Sequence, residues 1–219
     1  MQVLFIGNSY TYNSNMPKLF EALAIENGRD VTAYAVTQGG RKLFQYAECD
    51  DATTRELAAQ LAARRYDVCF IQEQSLLPAT EPERFLWGLE QLLGRLKGRV
   101  DTVYLYETWG RKAGNADLEA LGWTHDEMAQ RLVDAYRGAA AQFGVGVSPA
   151  GENFHKVYLR YPEIAIYEPD LSHPDYKGCC LIALTHYYTV FGEFPQKAAS
   201  LRLTEEELAA FREAVCKEK

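Results

Sequence analysis

The chain has 219 residues, 47% of them hydrophobic and 24% charged, which is typical of a globular protein with an ordinary core. Its formal net charge is −7 at pH 7. An acidic balance without a basic cluster argues against nucleic acid or an anionic membrane as a partner. The length fits one domain, so we expect residues 1–219 to form a single domain that buries its own core.

The sequence shows no targeting or membrane segment, because no apolar run approaches the roughly 20 residues that span a bilayer. The chain starts almost directly in the apolar run 3-VLFI-6, so the cytoplasm is the default expectation, although a removed leader would leave no trace. Five cysteines follow no zinc-ligand spacing and require no oxidising compartment. Cys69 lies in an apolar run and is expected to be a buried thiol. We expect no cofactor and no metal, and no pattern indicates an oligomeric state.

Apolar runs alternate with amphipathic segments, a pattern that predicts strands alternating with helices. The predicted strands are 3–6, 31–36, 67–71, 102–107 and 145–151, the last a short strand with its turn. The predicted helices are 17–27, 51–65, 81–96, 123–143, 175–191 and 204–217. Segments 41–50, 109–122 and 151–170 are the least regular and are expected to be loops.

Continuously apolar strands that alternate with helices indicate a parallel sheet covered on both faces. We therefore predict an α/β fold, a three-layer α/β/α flavodoxin-like sandwich with a five-stranded parallel sheet. In such a sheet, the loops after the carboxyl ends of the strands form the functional site. These loops are 7-GNSYT-11, 37-TQGGRKL-43 and 72-QEQS-75, and a fourth polar segment, 170-DLSHPDYKG-178, lies nearer the C-terminus.

Ser9 follows a buried strand and its glycine, so its hydroxyl can be presented at the sheet edge, with capping of the next helix as the alternative role. A serine needs an adjacent base to act as a nucleophile. His173 can supply it, because Pro174 favours an extended backbone there and Asp170, three residues earlier, can reach the imidazole. The other histidines have no comparable sequence context: His125, His155 and His186, the last expected to be structural.

An oxyanion formed at Ser9 needs hydrogen-bond donors. Gly40 can bring a backbone N–H close because it lacks a Cβ, although a glycine pair is also typical of a plain turn. Gln74 can offer a side-chain amide from the end of the third strand. Hydrogen bonding within the loop is the alternative role for both Gln72 and Gln74.

Aromatic residues near the strand ends are candidates for substrate binding. Tyr106, at the end of the fourth predicted strand, and Trp109, just after it, are expected to reach the same edge of the sheet, where they can line a sugar or acyl pocket. Tyr10 and Tyr12 can serve similarly. Because aromatic side chains dominate protein cores, core packing or loop anchoring is an equal alternative for Tyr106 and Trp109.

The four polar segments, in this order, resemble the sequence blocks of the SGNH (GDSL-like) hydrolase superfamily. The segment 7-GNSYT-11 resembles the first block, and its variant looks like that of a bacterial branch of the superfamily. Gly40 matches the glycine of the second block, and Asp170 with His173 matches the Asp-x-x-His block. Gln74 occupies the place of a third-block asparagine and is one methylene longer.

The resemblance implies a serine esterase. Ser9 would attack the ester carbonyl while His173 takes its proton, and the N–H groups of Ser9 and Gly40, together with Gln74, would hold the oxyanion. The expected substrate is a small-molecule or carbohydrate ester, with an acetylated sugar suggested by analogy alone. The alternative is a non-catalytic carbohydrate- or nucleotide-binding protein of the same fold, although neither a Gly-x-Gly-x-x-Gly motif nor a Walker loop is present.

Overall fold

The computed structural model describes residues 1–216. Within that range the strands form one parallel sheet in the order β2-β1-β3-β4-β5, which is the doubly wound order with β1 in the interior. The strands are β1 (Gln2–Gly7), β2 (Thr32–Thr37), β3 (Tyr66–Ile71), β4 (Val100–Tyr106) and β5 (Gly146–Ser148).

Helices connect the strands and cover both faces of the sheet. They are α1 (Ser9–Tyr12), α2 (Met16–Glu26), α3 (Gln45–Glu48), α4 (Ala52–Ala63), α5 (Leu77–Thr80), α6 (Pro82–Leu96), α7 (Ala116–Leu121), α8 (His125–Phe143), α9 (Ala150–Arg160), α10 (Tyr176–Phe191) and α11 (Glu205–Val215). Among residues 1–216, no helix is both long enough and apolar enough to span a membrane.

Side chains alternate along β1 and enter two separate cores. Val3 and Phe5 pack into the core formed with α2, α9, α10 and α11, while Leu4 and Ile6 pack into the core formed with α4, α6 and α8. All four side chains are fully buried, and each such burial contributes about 1.5–3 kcal/mol. The predicted three-layer sandwich with a five-stranded parallel sheet is therefore confirmed.

The prediction of a loop over 151–170 is wrong in its first half, because α9 covers Ala150–Arg160. Gly151 is a weak helix former and obscured the pattern, although Phe154 and Val157 lie three residues apart and bury one helix face. The glycine is required by packing, since a Cβ at this position would lie 2.1 Å from the carbonyl oxygen of Thr108.

The remaining differences concern short helices and element ends. The predicted loops 41–50 and 109–122 contain α3 and α7, which are too short to show a helical hydrophobic pattern. The predicted helix 204–217 is α11, which ends at Val215, and residue 217 lies outside the described residues. The expectation of a buried Cys69 thiol in β3 is confirmed.

Candidate active site

The end of β1 leads directly into α1, and Ser9 is the first residue of that helix. Asn8 is the N-cap, because its side-chain oxygen accepts a hydrogen bond from the Tyr10 N–H at 3.1 Å. The amide nitrogen of the same side chain donates to the carbonyl oxygen of Arg41 at 3.0 Å and so joins the loops after β1 and β2. Asn8, and not Ser9, therefore caps α1, so the Ser9 hydroxyl can bind another partner.

That partner is His173. The Ser9 Oγ lies 2.8 Å from His173 Nε2, and the other ring nitrogen, Nδ1, contacts Asp170 Oδ2. The second carboxylate oxygen, Oδ1, accepts the backbone N–H groups of Ser172 at 3.0 Å and of His173 at 2.9 Å. The structure thus brings the three predicted catalytic residues, Ser9, Asp170 and His173, into one hydrogen-bonded chain.

The carboxylate of Asp170 is kept charged by these contacts. Partial burial alone would raise the pKa of Asp170, but the hydrogen bonds from the side chain and backbone of His173 and from the Ser172 N–H outweigh it and lower the pKa. A charged carboxylate at Nδ1 favours the imidazole tautomer that carries its proton there, and it stabilises the imidazolium form. The Nε2 lone pair then faces the Ser9 hydroxyl.

Residues 109–115 hold the backbone of the catalytic loop, residues 170–173. Three hydrogen bonds run between them: from Trp109 Nε1 to Ser172 O at 3.1 Å, from Lys112 N to Leu171 O at 2.9 Å, and from Asn115 Nδ2 to Asp170 O at 3.0 Å. The backbone that these hydrogen bonds hold is strained: Leu171 has a φ of +61°, in the left-handed region that favours glycine. The first part of the 109–122 segment therefore supports the catalytic loop.

Trp109 and Tyr106 are fully buried and do not line the cavity at Ser9, so the prediction that they line a substrate pocket is wrong. The Trp109 ring stacks between Tyr10, with centroids 4.6 Å apart, and Phe154, at 4.2 Å. The Tyr106 hydroxyl donates to the carbonyl oxygen of Tyr10 at 3.0 Å. Both residues therefore pack the core and anchor α1 through Tyr10, which agrees with the alternative role of core packing or anchoring.

A cavity of about 380 Å³ opens at the Ser9–His173 pair. Arg111, which no sequence motif indicated, is buried in the cavity wall, donates to the hydroxyl groups of Ser172 and Ser75, and pairs with Asp117 at 3.1 Å. Its position after β4, at the same edge as the other loops, was the available signal. The full lining is Asn8, Ser9, Tyr10, Gly40, Gln74, Ser75, Arg111, Asn115, Asp170, Ser172 and His173.

The three residues predicted to supply oxyanion donors, Ser9, Gly40 and Gln74, all line this cavity. The N–H groups of Ser9 and Gly40 have no acceptor in the described part of the chain, and Gly40 has a φ of +67°, which favours glycine. The Gln74 side-chain oxygen accepts the N–H groups of Leu76 at 3.0 Å and Leu77 at 3.1 Å, and its NH₂ group donates to the Ser75 hydroxyl at 3.4 Å. Their role as oxyanion donors stays a prediction.

Two buried side chains after β3 join the strand-end loops. The Gln72 side-chain oxygen accepts the Asn8 N–H at 2.9 Å, which is the loop hydrogen bonding considered above as its alternative role. The Glu73 carboxylate accepts the N–H groups of Leu43 at 3.0 Å and Gln74 at 2.6 Å. Burial raises the pKa of Glu73 to about 8, although these N–H donors oppose the shift.

No protein-family model matches the sequence, and a search of curated proteins returns no match. Among solved structures, the fold is similar to that of a "putative SGNH hydrolase" from Slackia heliotrinireducens, with 28% identity, a TM-score of 0.76, and 87% of this chain and 98% of the other covered. It is also similar to a DUF4886 family protein from Bacteroides uniformis, with 18% identity, a TM-score of 0.80, and coverage of 98% and 93%.

A lipase/acylhydrolase from Enterococcus faecalis shares the fold at 13% identity, with a TM-score of 0.64 and coverage of 90% of this chain and 99% of that protein. The lipase/acylhydrolase and the DUF4886 family protein show the same fold. The likeness at 28% identity to the "putative SGNH hydrolase" supports a hydrolase of the SGNH (GDSL-like) superfamily.

Proposed function

We propose that the chain is a serine esterase that hydrolyses a small carboxylic ester through an acyl-enzyme on Ser9. The observation that carries the proposal is the chain of contacts from Ser9 Oγ to His173 Nε2 at 2.8 Å and from His173 Nδ1 to Asp170. A serine hydroxyl at its ordinary pKa is a weak nucleophile, and a hydrogen-bonded base with an orienting carboxylate activates it.

The reaction begins when Ser9 Oγ attacks the ester carbonyl and His173 Nε2 takes the hydroxyl proton. The Ser9 and Gly40 N–H groups and the Gln74 amide stabilise the negative charge that develops on the carbonyl oxygen. The tetrahedral intermediate collapses as His173 returns the proton to the leaving alcohol. Water, activated by the same imidazole, then releases the carboxylic acid and regenerates Ser9.

The cavity favours a small, polar substrate. Its volume of about 380 Å³ is near the lower end of ligand sites, and hydroxyl, amide and guanidinium groups from Ser75, Asn115 and Arg111 line it. Such groups recognise the hydroxyl groups of a sugar as well as an ester oxygen. An acetylated carbohydrate is consistent with this lining and is proposed by analogy with the superfamily.

The proposal is tested with p-nitrophenyl acetate as substrate and a fluorophosphonate as covalent probe. We expect the wild-type protein to turn over, Ser9→Ala and His173→Ala to lose turnover, and mass spectrometry to map the adduct to Ser9. Circular dichroism of both variants controls for folding. A folded wild-type protein without turnover or adduct would contradict the proposal and favour a binding role.

A further inference from the structure

A cluster of two histidines and an aspartate lies outside the candidate active site, between the start of α8 and the middle of α9. His125 Nε2 lies 3.0 Å from His155 Nδ1, and His155 Nδ1 lies 3.9 Å from Asp126 Oδ1. One donor atom from each of the three side chains falls within 4.8 Å of the others. Donor atoms of two imidazoles and a carboxylate therefore lie close together, although 30 residues separate the histidines in sequence.

We propose that His125, Asp126 and His155 bind a divalent transition-metal ion of the Zn²⁺ class. Zn²⁺ holds nitrogen and oxygen donors at about 2.0–2.2 Å, so tetrahedral neighbours lie roughly 3.3–3.5 Å apart. The separations of 3.0 and 3.9 Å fall on either side of that value, so small side-chain rotations would close the site. Imidazole with one carboxylate suits Zn²⁺ rather than Ca²⁺ or Mg²⁺, which take mainly oxygen ligands.

The hydrogen bonding of His125 and the exposure of Asp126 also support a metal site. Its Nδ1 lies 2.9 Å from the carbonyl oxygen of Arg111, which can only accept, so this nitrogen carries the proton and Nε2 presents a lone pair towards His155. A hydrogen bond from the far ring nitrogen to a backbone carbonyl is the usual support of a metal-bound histidine. His125 is buried, whereas the Asp126 side chain is 70% exposed, so an ion and a bound water can enter from solvent.

A plain hydrogen bond between the two rings is the competing arrangement. It would use one proton, from His155 Nδ1 to His125 Nε2, and it would give Asp126 no role. A metal ion would instead displace that proton and recruit the carboxylate, since ligating imidazole must be unprotonated at the bonding nitrogen. Metal binding and its dependence on Asp126 therefore separate the two arrangements.

The position of the cluster indicates what a bound ion would do. Gly110 packs against the start of α8 so closely that a Cβ there would lie 2.7 Å from the carbonyl oxygen of His125. An ion would therefore join α8 and α9 beside the segment 109–115, which holds the catalytic loop. Because the ion binds the folded state, it would raise the thermal stability of the protein. This proposal does not depend on esterase activity.

The test uses tag-free, chelator-treated protein titrated with ZnCl₂ by isothermal calorimetry, with Co²⁺ absorption and X-ray absorption spectroscopy as second readouts. The variants are His155→Ala and Asp126→Ala, which leave the buried His125 in place. His173→Ala is the matched control, because His173 is a partly exposed histidine elsewhere in the fold. A Cys49→Ser/Cys216→Ser variant removes the two partly exposed thiols, which could bind Zn²⁺ by themselves.

We expect one Zn²⁺ per chain, nitrogen and oxygen neighbours at about 2.0–2.2 Å, and a higher melting temperature with Zn²⁺. Binding should weaken at least about tenfold in His155→Ala and Asp126→Ala, and it should persist in the histidine and cysteine controls. No saturable binding by the wild type would overturn the proposal. So would equal binding by wild type and His155→Ala, or a sulfur neighbour in the absorption spectrum.

Discussion

Two serine–histidine pairs of nearly equal length lie in different parts of this molecule. In the cavity, Ser9 Oγ lies 2.8 Å from His173 Nε2. At the end of β5, Ser148 Oγ lies 2.7 Å from His186 Nδ1. Distance alone does not distinguish them, so whatever makes the first pair a candidate catalyst must come from its surroundings.

The surroundings of the Ser148–His186 pair exclude acid–base catalysis. Ser148 and His186 are fully buried, and the imidazole packs against Phe70 at 4.2 Å and Tyr106 at 4.5 Å between ring centroids. Burial lowers the pKa of His186 to about 3, and its Nε2 has no partner within residues 1–216. An imidazole that cannot take up a proton near neutral pH cannot serve as a general base there. The prediction of a structural His186 agrees with this packing.

The cavity pair has three features that the core pair lacks. The cavity pair has a carboxylate at the far ring nitrogen, access for a substrate, and free N–H groups beside the nucleophile. The core pair contacts no carboxylate of the described residues and has no access to solvent. We expect substitutions in the first pair to change activity and substitutions in the second to change stability.

The largest effect is expected for Ser9→Ala. Loss of the nucleophile should lower kcat/KM for p-nitrophenyl acetate by at least about 10³-fold, since only binding and oxyanion stabilisation would then assist hydrolysis. The matched control is Ser148→Ala, which removes the hydroxyl of the other pair and should leave kcat/KM within about threefold, because it is remote from the cavity. A large loss of kcat/KM in Ser148→Ala would contradict the expectation that only the cavity pair affects activity.

Asp170→Asn should make the cavity pair resemble the core pair by removing the charged carboxylate. We expect kcat/KM to fall by about 10²–10⁴-fold, because the neutral amide favours the wrong tautomer and does not stabilise the imidazolium. The pH–rate profile is the deciding measurement, since a structural defect would lower the rate without moving the apparent pKa of the base. Unchanged rate and profile would show that Asp170 does not orient His173.

His186→Phe should alter the response of the fold to acid. The folded-state pKa of about 3 lies below the ordinary value of 6.5, so His186 contributes stability above pH 6.5 that is lost as the pH falls. Between pH 7 and pH 4 the loss from this group is about 3 kcal/mol. Urea unfolding at both pH values should therefore show a smaller loss in His186→Phe than in the wild type. Equal losses would show that His186 is not held neutral by burial.

The smallest effect is expected for the stability of Ser148→Ala. The substitution leaves His186 Nδ1 without its partner at 2.7 Å and removes a contact to the Thr189 hydroxyl at 3.1 Å. We expect a loss of about 1–3 kcal/mol in the free energy of unfolding, measured in urea at pH 7. Ser9→Ala should lose less free energy of unfolding, because its partner His173 is partly exposed. A larger loss in Ser9→Ala than in Ser148→Ala would contradict the expectation that the core pair contributes more to stability.

Features that depend on near neighbours in the chain could be predicted from the sequence. The alternation of apolar strands and helices determined the layered fold, because burial on two faces leaves a repeating local pattern. The strand-end loops and the three-residue spacing of Asp170 and His173 indicated the candidate site, because parallel strands bring their carboxyl ends to one edge. The resemblance to a superfamily linked these segments to Ser9.

Tertiary structure alone decided which side chains meet across distant segments. Trp109 became a core residue because α9 packs Phe154 against it, and the short helix pattern of α9 was obscured by Gly151. The cluster of His125 with His155 likewise arises where two helices dock. Periodicity reports which face of an element is buried, but the partner of that face depends on how the elements pack, and that arrangement leaves no local trace in the sequence.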